Sequence, residues 1–246
     1  MSLIDFNTPR RWLFCMTHPD DEISVCATMR RLVQAGHEVR ISWTHSPNFR
    51  LEEGVAAAAL IGVSEDNLYH HNSTDGSTCE ELIDLLPSFR AMMNHAKPDF
   101  VVCGAFEQGH LDHDATNWLV NQTFGGTVIE VPFYHTYIRP NIQRINQFSD
   151  PRNQEVIVLD KVEQRFKLDF AKQFRSQNIW QVLLLFEVVS TLLLQPAKLR
   201  KRELFRKQVH RDFRTPNHPE RLARKVEQTP HWERWIAALA KAESLH

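Results

Sequence analysis

The sequence lacks the features that would place it in a secreted or membrane-spanning class. Its four cysteines form no C-x-x-C pair and fall mostly in apolar segments, which favours reduced core residues. Its N-terminus has no long hydrophobic region followed by a small-residue cleavage site of the secretory kind. The most apolar stretch, Val182 to Leu194, is interrupted by Glu187 and is shorter than the ~20 residues that span a bilayer. We therefore expect a cytoplasmic protein without a transmembrane segment.

The sequence also lacks a large net charge, internal repeats and low-complexity tracts. Its net charge of -1 names no class of partner. The charge is uneven, since residues 198–225 hold 11 Lys/Arg against 3 Asp/Glu. This basic segment suggests an anionic substrate or headgroup, although solvated or internally paired charge is the commoner explanation. It has no interleaved strand aromatics, so we predict no nucleic-acid binding.

What the sequence does contain is an alternation of strand-like and helix-like segments. Residues 12–16 form an apolar run, residues 22–35 favour a helix that ends at Gly36, and residues 38–44 alternate polar and apolar side chains. Strand, helix and strand form a βαβ unit, and 246 residues suit one α/β domain. We predict a Rossmann-like three-layer sandwich with a mostly parallel central sheet. Its core covers about residues 10–180, and a helical, partly basic C-terminal extension covers about 181–246.

The first candidate site follows the first strand, as HPDDE at residues 18–22. Histidine and carboxylate oxygens are ordinary ligands of a catalytic zinc, which also keeps one position open for water. The alternative is structural, because carboxylates after a strand often cap the N-terminus of the next helix. For Glu22 in particular, this capping role remains an equal alternative.

A second candidate site follows the apolar strand at residues 100–105, as GHLDH at residues 109–113. In parallel sheets, ligands collect at the carboxyl ends of the strands. If the two strands are neighbours, the side chains of both motifs converge. His18, Asp21 and His113 would then form a His₂Asp shell around a zinc ion.

The remaining side chains of the two motifs suit amide hydrolysis. Zinc lowers the pKa of a bound water toward ~7, and Asp20 would accept the water proton. His110 would polarise the substrate carbonyl and protonate the leaving nitrogen, while Asp112 would orient His110. Most other histidines, His45 among them, we interpret as structural or solvated.

Together, these two motifs resemble those of the zinc-dependent de-N-acetylases related to N-acetylglucosaminyl-phosphatidylinositol deacetylase. That superfamily includes the sugar deacetylases of mycothiol and bacillithiol synthesis. Supporting resemblances extend over about residues 10–180, and the last ~65 residues match only loosely. They are found at Arg50-x-x-Glu53, Asp75-Gly76, Lys97-Pro98-Asp99, Lys167 and Ser176-Gln177.

The resemblance implies a Rossmann-like fold and the same assignment of roles. It implies that His18, Asp21 and His113 bind zinc, that Asp20 is the general base, and that His110 stabilises the oxyanion or acts as the acid. It also implies that Arg50 and Asp75 contact the substrate. The sequence departs from the family pattern at Thr17, at Cys26-Ala27 and at Leu111. Cys26-Ala27 replaces a usual Gly-Gly and removes backbone freedom near the mouth of the site, which affects the substrate pose more than the metal.

The main hypothesis is therefore a zinc-dependent hydrolase that removes an acetyl group from an N-acetylglucosamine-type amide. The expected partner is a small N-acetylated sugar conjugate, with an anionic group as an option, and a homo-oligomer remains open. One alternative is a zinc amidase that acts on another N-acyl substrate, lipid- or antibiotic-linked. A second alternative is a non-catalytic binding protein on the same fold.

Overall fold

The computed structural model describes residues 2–135, 144–192 and 199–244. A seven-stranded sheet lies at its centre, in the order β3-β2-β1-β4-β5-β9-β8. These strands are β1 (Arg11–Met16), β2 (Glu38–Trp43), β3 (Leu68–His70), β4 (Phe100–Gly104), β5 (Thr127–Val131), β8 (Gln154–Val158) and β9 (Arg202–Lys207). A separate two-stranded ribbon consists of β6 (Tyr134–His135) and β7 (Arg144–Ile145).

Helices cover both faces of the sheet. They are α1 (Cys26–Gln34), α2 (Asn48–Ile61), α3 (Leu82–Ala96), α4 (Leu111–Thr123), α5 (Lys161–Ala171), α6 (Ile179–Leu192), α7 (Glu220–Val226) and α8 (Pro230–Ser244). Alternate residues of β1 supply the two apolar cores. Trp12 and Phe14 pack on the side of α1, α2 and α5, whereas Leu13 and Cys15 pack on the side of α3, α4 and α8. The predicted three-layer α/β fold is confirmed.

The sheet is mostly parallel, as predicted. Strands β3, β2, β1, β4 and β5 run parallel to their neighbours, and β9 and β8 extend the sheet in antiparallel pairing. Strand β1 pairs with both β2 and β4, so the loops that follow these three strands leave the same edge of the sheet. The two motifs that follow β1 and β4 are therefore neighbours.

The C-terminal region contributes a strand to the sheet as well as helices. Strand β9 lies between β5 and β8, so the sheet extends past the expected core boundary near residue 180. Sequence patterns missed this strand because its inward side chains include charges. Glu203 and Lys167 are both fully buried, and their Oε1 and Nζ atoms lie 2.8 Å apart. Glu203 also accepts the backbone N–H groups of Ala27 and Thr28 at the start of α1.

Some sequence expectations concern residues whose structure is described only in part. Helix α6 occupies most of the apolar stretch at 182–194, and Leu193 and Leu194 lie outside the described residues. Lys198, the first residue of the basic segment, also lies outside them. Within the described part of that segment, several arginines form ion pairs, including Arg206 with Glu130 and Arg214 with Glu243. All four cysteines are buried free thiols. None of the helices seen in the described ranges combines the length and apolarity needed to cross a bilayer.

Candidate active site

The HPDDE loop holds Asp21 in a fixed position directly after β1. The Oδ2 atom of Asp21 accepts the backbone N–H groups of Thr17, at 3.1 Å, and of His18, at 2.9 Å. Residues Asp21–Ser24 then form a short 3₁₀ helix before α1. The carboxylate is 8% exposed, so its own loop and not solvent sets its orientation.

The GHLDH loop brings His113 to the same point from β4. His113 lies in the first turn of α4, and its Nε2 is 3.5 Å from Asp21 Oδ2. His18 Nδ1 lies 3.8 Å from the same oxygen. Two ligand atoms about 2.1 Å from one tetrahedral zinc ion lie roughly 3.4 Å apart, so these three groups have nearly the required spacing. The predicted set of His18, Asp21 and His113 is thus brought together.

A second group of metal-type ligands shares His18. The Nε2 atom of His18 lies 3.2 Å from Asp75 Oδ1 and 3.8 Å from Asp112 Oδ2. Both Asp112 oxygens already accept backbone N–H groups, which makes this group the weaker candidate. With Nδ1 directed at the first group, the Nε2–H of His18 donates to Asp75, the usual arrangement around a metal-bound histidine.

The electrostatics of the cavity favour a bound cation. Burial lowers the pKa of His18, but the carboxylates of Asp112, Asp75 and Asp21 outweigh that effect and raise the pKa to about 10. Burial also raises the pKa of Asp21. Among the described residues that line the cavity, only Arg50 is a permanent cation. A divalent ion would supply the positive charge that this group of carboxylates requires.

The carboxylate of Asp20 is buried beside the proposed ligands, and its backbone is strained. Its φ angle is 131°, in the region that favours glycine. Glu22 holds this conformation, because its Oε2 accepts the Asp20 N–H at 2.9 Å and its Oε1 accepts the indole N–H of Trp43. Glu22 therefore stabilises the loop, in line with its structural alternative.

Neighbouring charges set the ionisation of Asp20 together with its burial. Burial and the nearby Asp21 raise the pKa of Asp20 to about 7, while Arg50 opposes the rise. The Nη2 atom of Arg50 donates to Asp20 Oδ2 at 2.8 Å. The Nε of Arg50 is buried and has no hydrogen-bond partner among the described residues, so it is a donor available to a ligand.

His110 lies at the N-cap of α4 and faces the cavity. Its ring centroid is 5.7 Å from that of His18 and 5.3 Å from that of His113. Burial lowers the pKa of His110, and its Nδ1 accepts the backbone N–H of Asp112 at 3.3 Å. A neutral ring that accepts at Nδ1 carries its proton on Nε2, where it can donate to a substrate oxygen.

Asp112 differs from the sequence expectation. Its carboxylate was expected to orient His110, yet Oδ2 lies 3.9 Å from His110 Nδ1, beyond hydrogen-bond distance. Instead, Asp112 accepts the N–H groups of Gly76, at 2.6 Å, and Thr78, at 3.1 Å. It therefore anchors the loop that carries Asp75, and it contributes negative charge next to His18.

His45 belongs to the site, although no sequence motif selected it. It follows β2, and its ring centroid lies 5.6 Å from that of His18. Its Nδ1 is 2.6 Å from the carbonyl oxygen of Ser73, and its Nε2 is 4.0 Å from Asp75 Oδ2. Its position at the carboxyl end of a strand adjacent to β1 was the available clue.

Several of these groups line a cavity of about 350 Å³. We define the polar wall as His18, Asp20, Asp21, Arg50, Asp75 and His110, which surround the proposed metal position. We define the apolar wall as Phe133, Ile145, Ile179, Leu183, Phe186 and Leu199. Phe133 also contacts a proposed ligand, since its ring packs against His113 with centroids 5.0 Å apart.

The sequence of the polar wall matches a known family. Residues 13–124 match the family model described as "PIG-L: GlcNAc-PI de-N-acetylase". A search of curated protein sequences finds no match. The chain thus carries a PIG-L family domain over residues 13–124, and the family resemblance predicted from the two motifs is confirmed.

Solved structures with the same fold cover most of the chain. A deacetylase of teicoplanin biosynthesis is 14% identical with a TM-score of 0.59, over 82% of this chain and 99% of that chain. The N,N'-diacetylchitobiose deacetylase from Pyrococcus horikoshii is 19% identical with a TM-score of 0.55, over 83% and 87%. GalB, the 4-carboxy-2-hydroxymuconate hydratase from Pseudomonas putida KT2440, is 12% identical with a TM-score of 0.52, over 81% and 96%. Because one of these proteins is a hydratase, the fold alone does not decide the reaction.

Proposed function

We propose that this PIG-L family chain is a metal-dependent amide hydrolase that removes an acetyl group from an N-acetylated sugar conjugate. The observation that carries the proposal is the convergence of His18, Asp21 and His113 beside Asp20 and His110 in one cavity. Three protein ligands with an open position suit a catalytic zinc, and zinc is the metal that we propose. Such an ion supplies Lewis acidity to a water molecule and to the amide carbonyl.

Asp20 is the proposed general base. Its carboxylate is buried next to the ligand Asp21, and its pKa of about 7 suits a group that accepts a proton near neutral pH. Arg50 and the strained backbone fix the position of its carboxylate. Asp20 can therefore take the proton of an attacking water without moving.

His110 is the proposed donor to the substrate carbonyl oxygen and then to the leaving nitrogen. It lines the same cavity as the base, and its neutral ring carries the proton on Nε2. A preorganised donor of this kind stabilises the oxyanion that forms during amide hydrolysis. Its proton can subsequently pass to the departing amine.

We propose Arg50 and Asp75 as contacts for the sugar. The Nε of Arg50 is a buried donor without a partner among the described residues, and the Asp75 side chain is 57% exposed at the cavity. Two fold neighbours, a deacetylase of teicoplanin biosynthesis and an N,N'-diacetylchitobiose deacetylase, support an acetylated sugar as substrate. We further propose that residues 1–246 form one domain and that the protein is cytoplasmic. The four buried thiols would be in the reduced state there.

A second candidate is an amidase for a different N-acyl substrate, and the apolar wall favours it. The apolar wall contributes six apolar side chains to the lining of the cavity. They suit an acyl chain or an apolar aglycone better than an unsubstituted sugar. Acetate release compared with release of longer acyl groups from matched glucosamine conjugates would separate the two candidates.

The main test combines metal analysis with acetate release from N-acetylglucosamine conjugates. We expect about one zinc per purified chain, and we expect Asp20→Asn to retain the metal while turnover falls about 10²–10⁴-fold. Asp84→Asn makes the same change at an exposed carboxylate of α3 and should behave as the wild type. A fully active Asp20→Asn would refute the base assignment, and zinc-free protein with intact His18 and His113 would refute the metal.

A further inference from the structure

Helix α6 separates the cavity from solvent by a layer that is only one helix thick. Ile179, Leu183 and Phe186 point into the cavity. The opposite face carries Leu184, Leu185, Val188, Val189 and Leu192, which are exposed by 36%, 65%, 56%, 42% and 76%. A helix with apolar side chains around most of its circumference is normally buried in a protein core or in lipid.

This concentration of exposed apolar side chains is specific to α6. Eleven large apolar residues are exposed in the described parts of the chain, and five of them lie on this single helix of 14 residues. Leu185, Val188 and Leu192 follow the spacing of one helical face. The only charged residue of α6, Glu187, is turned aside and paired with Arg200 at 2.8 Å. The outward face therefore carries no charge, and its one polar residue on the line of Leu185, Val188 and Leu192 is Gln181.

A basic groove lies on the neighbouring helix α5 and at residues 200–201, next to α6. It is lined by Lys161, Arg165, Lys172, Arg200 and Lys201, with Asp169 as its one acidic residue. Lys172 pairs with Asp169, and Arg200 pairs with Glu187. Lys161, Arg165 and Lys201 have no ion pair with any residue in the described ranges, so the groove keeps a surplus of positive charge.

An apolar helical face next to unpaired basic side chains complements an anionic lipid bilayer. Apolar side chains enter the acyl boundary, and Lys and Arg contact the negative headgroups. A second copy of the chain suits this face less well. A helix of 14 residues is about 21 Å long and about 10 Å wide, so it offers roughly 200 Å². Stable protein interfaces need about 800 Å² from each partner.

We propose that the outward face of α6 and the adjoining basic groove dock this protein on an anionic lipid bilayer. Docking brings the cavity within about one helix diameter, 10 Å, of the lipid surface. An amphiphilic substrate held in that bilayer is then close to the apolar wall. This surface needs no catalytic step, so its test is independent of the deacetylase proposal.

The test is co-sedimentation of the full chain with vesicles, without substrate. We expect binding to vesicles of phosphatidylcholine with phosphatidylglycerol, weaker binding to phosphatidylcholine alone, and a loss of affinity as salt screens the basic groove. Leu185→Gln/Leu192→Gln should lower the partition coefficient at least about tenfold. Arg165→Gln/Lys201→Gln should weaken binding to the anionic vesicles and leave binding to neutral vesicles unchanged.

Leu60→Gln/Val209→Gln provides the matched control. It removes two exposed apolar side chains from other parts of the surface, and we expect wild-type binding. All variants change exposed positions, and thermal melts should confirm that they fold. Absence of wild-type binding to anionic vesicles at low salt would overturn the proposal, as would wild-type binding by Leu185→Gln/Leu192→Gln. A dimer that this variant dissociates, without vesicle binding by the wild type, would assign the face to a second copy instead.

Discussion

The two walls of the cavity come from different parts of the chain and show different chemistry. Every residue of the polar wall lies between positions 13 and 124, the segment that matches the family model. Six of the seven apolar residues that line the cavity, all except Ile23, form the apolar wall and lie after position 124. The polar wall is fixed by hydrogen bonds and ion pairs, whereas the apolar wall is fixed by packing. We infer that the first wall determines the reaction and the second determines which substrates fit.

Replacement of a proposed metal ligand should have the largest effect. His113→Ala removes one of three ligands, so we expect bound zinc to fall below about one tenth per chain and turnover to fall at least about 10⁴-fold. Metal binding should also stabilise the wild type by about 2.7 kcal/mol at a metal concentration 100 times the Kd. Thermal melts with and without chelator measure this gain.

The variant and its control should differ in their response to chelator. His113→Ala should melt at the same temperature with and without chelator, because it has no site to empty. His70→Ala, at an exposed position of β3, should retain both metal and the stability gain. Full metal content in His113→Ala would contradict the proposed ligand set.

Loss of Arg50 should have the next largest effect. Arg50→Gln removes the ion pair with Asp20 and the unpaired Nε donor while leaving the three proposed ligands in place. We expect full metal content and a decrease in kcat/KM of about 10–100-fold for any substrate. Arg11→Gln breaks a partly exposed ion pair with Asp99 and should leave kinetics unchanged. An unchanged kcat/KM in Arg50→Gln would refute the proposed roles of Arg50 in orienting Asp20 and in substrate binding.

A change in the apolar wall should act on substrate choice. Leu183→Ala enlarges the cavity beside α6, and we expect KM for an apolar N-acyl substrate to rise about tenfold or more while kcat stays within about threefold. Because Leu183 is only 1% exposed, we also expect a stability loss of about 2–3 kcal/mol.

The kinetics of Leu183→Ala decide whether the walls are separate. Measurement of kcat and KM for short and long acyl groups gives the answer, with Leu60→Ala as a surface control. An equal loss of kcat on every substrate would show that the apolar wall also supports the chemistry, and the division between the walls would fail.

The smallest expected effect comes from a residue behind the polar wall. A Cβ atom at Gly54 would lie 3.0 Å from the Cβ of Pro19 and 3.0 Å from a ring carbon of Trp43. Gly54→Ala should therefore displace the HPDDE loop by a few tenths of an ångström and lower kcat by roughly tenfold or less. A gain in helix propensity of about 1 kcal/mol should offset the packing cost, so the melting temperature should change little. Wild-type kcat would show that the loop absorbs the displacement.

The sequence predicted the residues of the polar wall better than those of the apolar wall. The polar residues belong mostly to short motifs at strand ends, whereas other parts of the structure depend on contacts between residues far apart in the sequence. His18, Asp21 and His113 follow strand ends, and the βαβ rule alone places such loops on one edge of the sheet. His45 lies on the same edge but belongs to no spaced motif. Strand β9 was not predicted from the sequence, because Glu203 and Arg206 place charged side chains on an inner strand of the sheet. Their partners Lys167 and Glu130 are 36 and 76 positions away.

The two aspartates of the HPDDE motif could be distinguished from the sequence only as a hypothesis. The structure supplies the physical difference between them. Asp21 is fixed by N–H groups of its own loop and faces both histidines. Asp20 turns toward Arg50 instead. For Asp112, adjacency in sequence was misleading, because the N–H groups that it accepts come from a loop more than 30 positions earlier.

The strained backbone of Asp20 makes the HPDDE motif difficult to transplant. Its φ of 131° depends on Glu22, and Glu22 in turn depends on the indole of Trp43 at the end of a different strand. Five consecutive residues copied into another strand-to-helix loop would relax to an ordinary backbone conformation and turn the carboxylate away from the proposed metal position. The smallest unit that could be transferred to another protein is therefore the pair of strands β1 and β2 together with Trp43. A designer who moves this chemistry to a new scaffold should treat Trp43 as part of the motif.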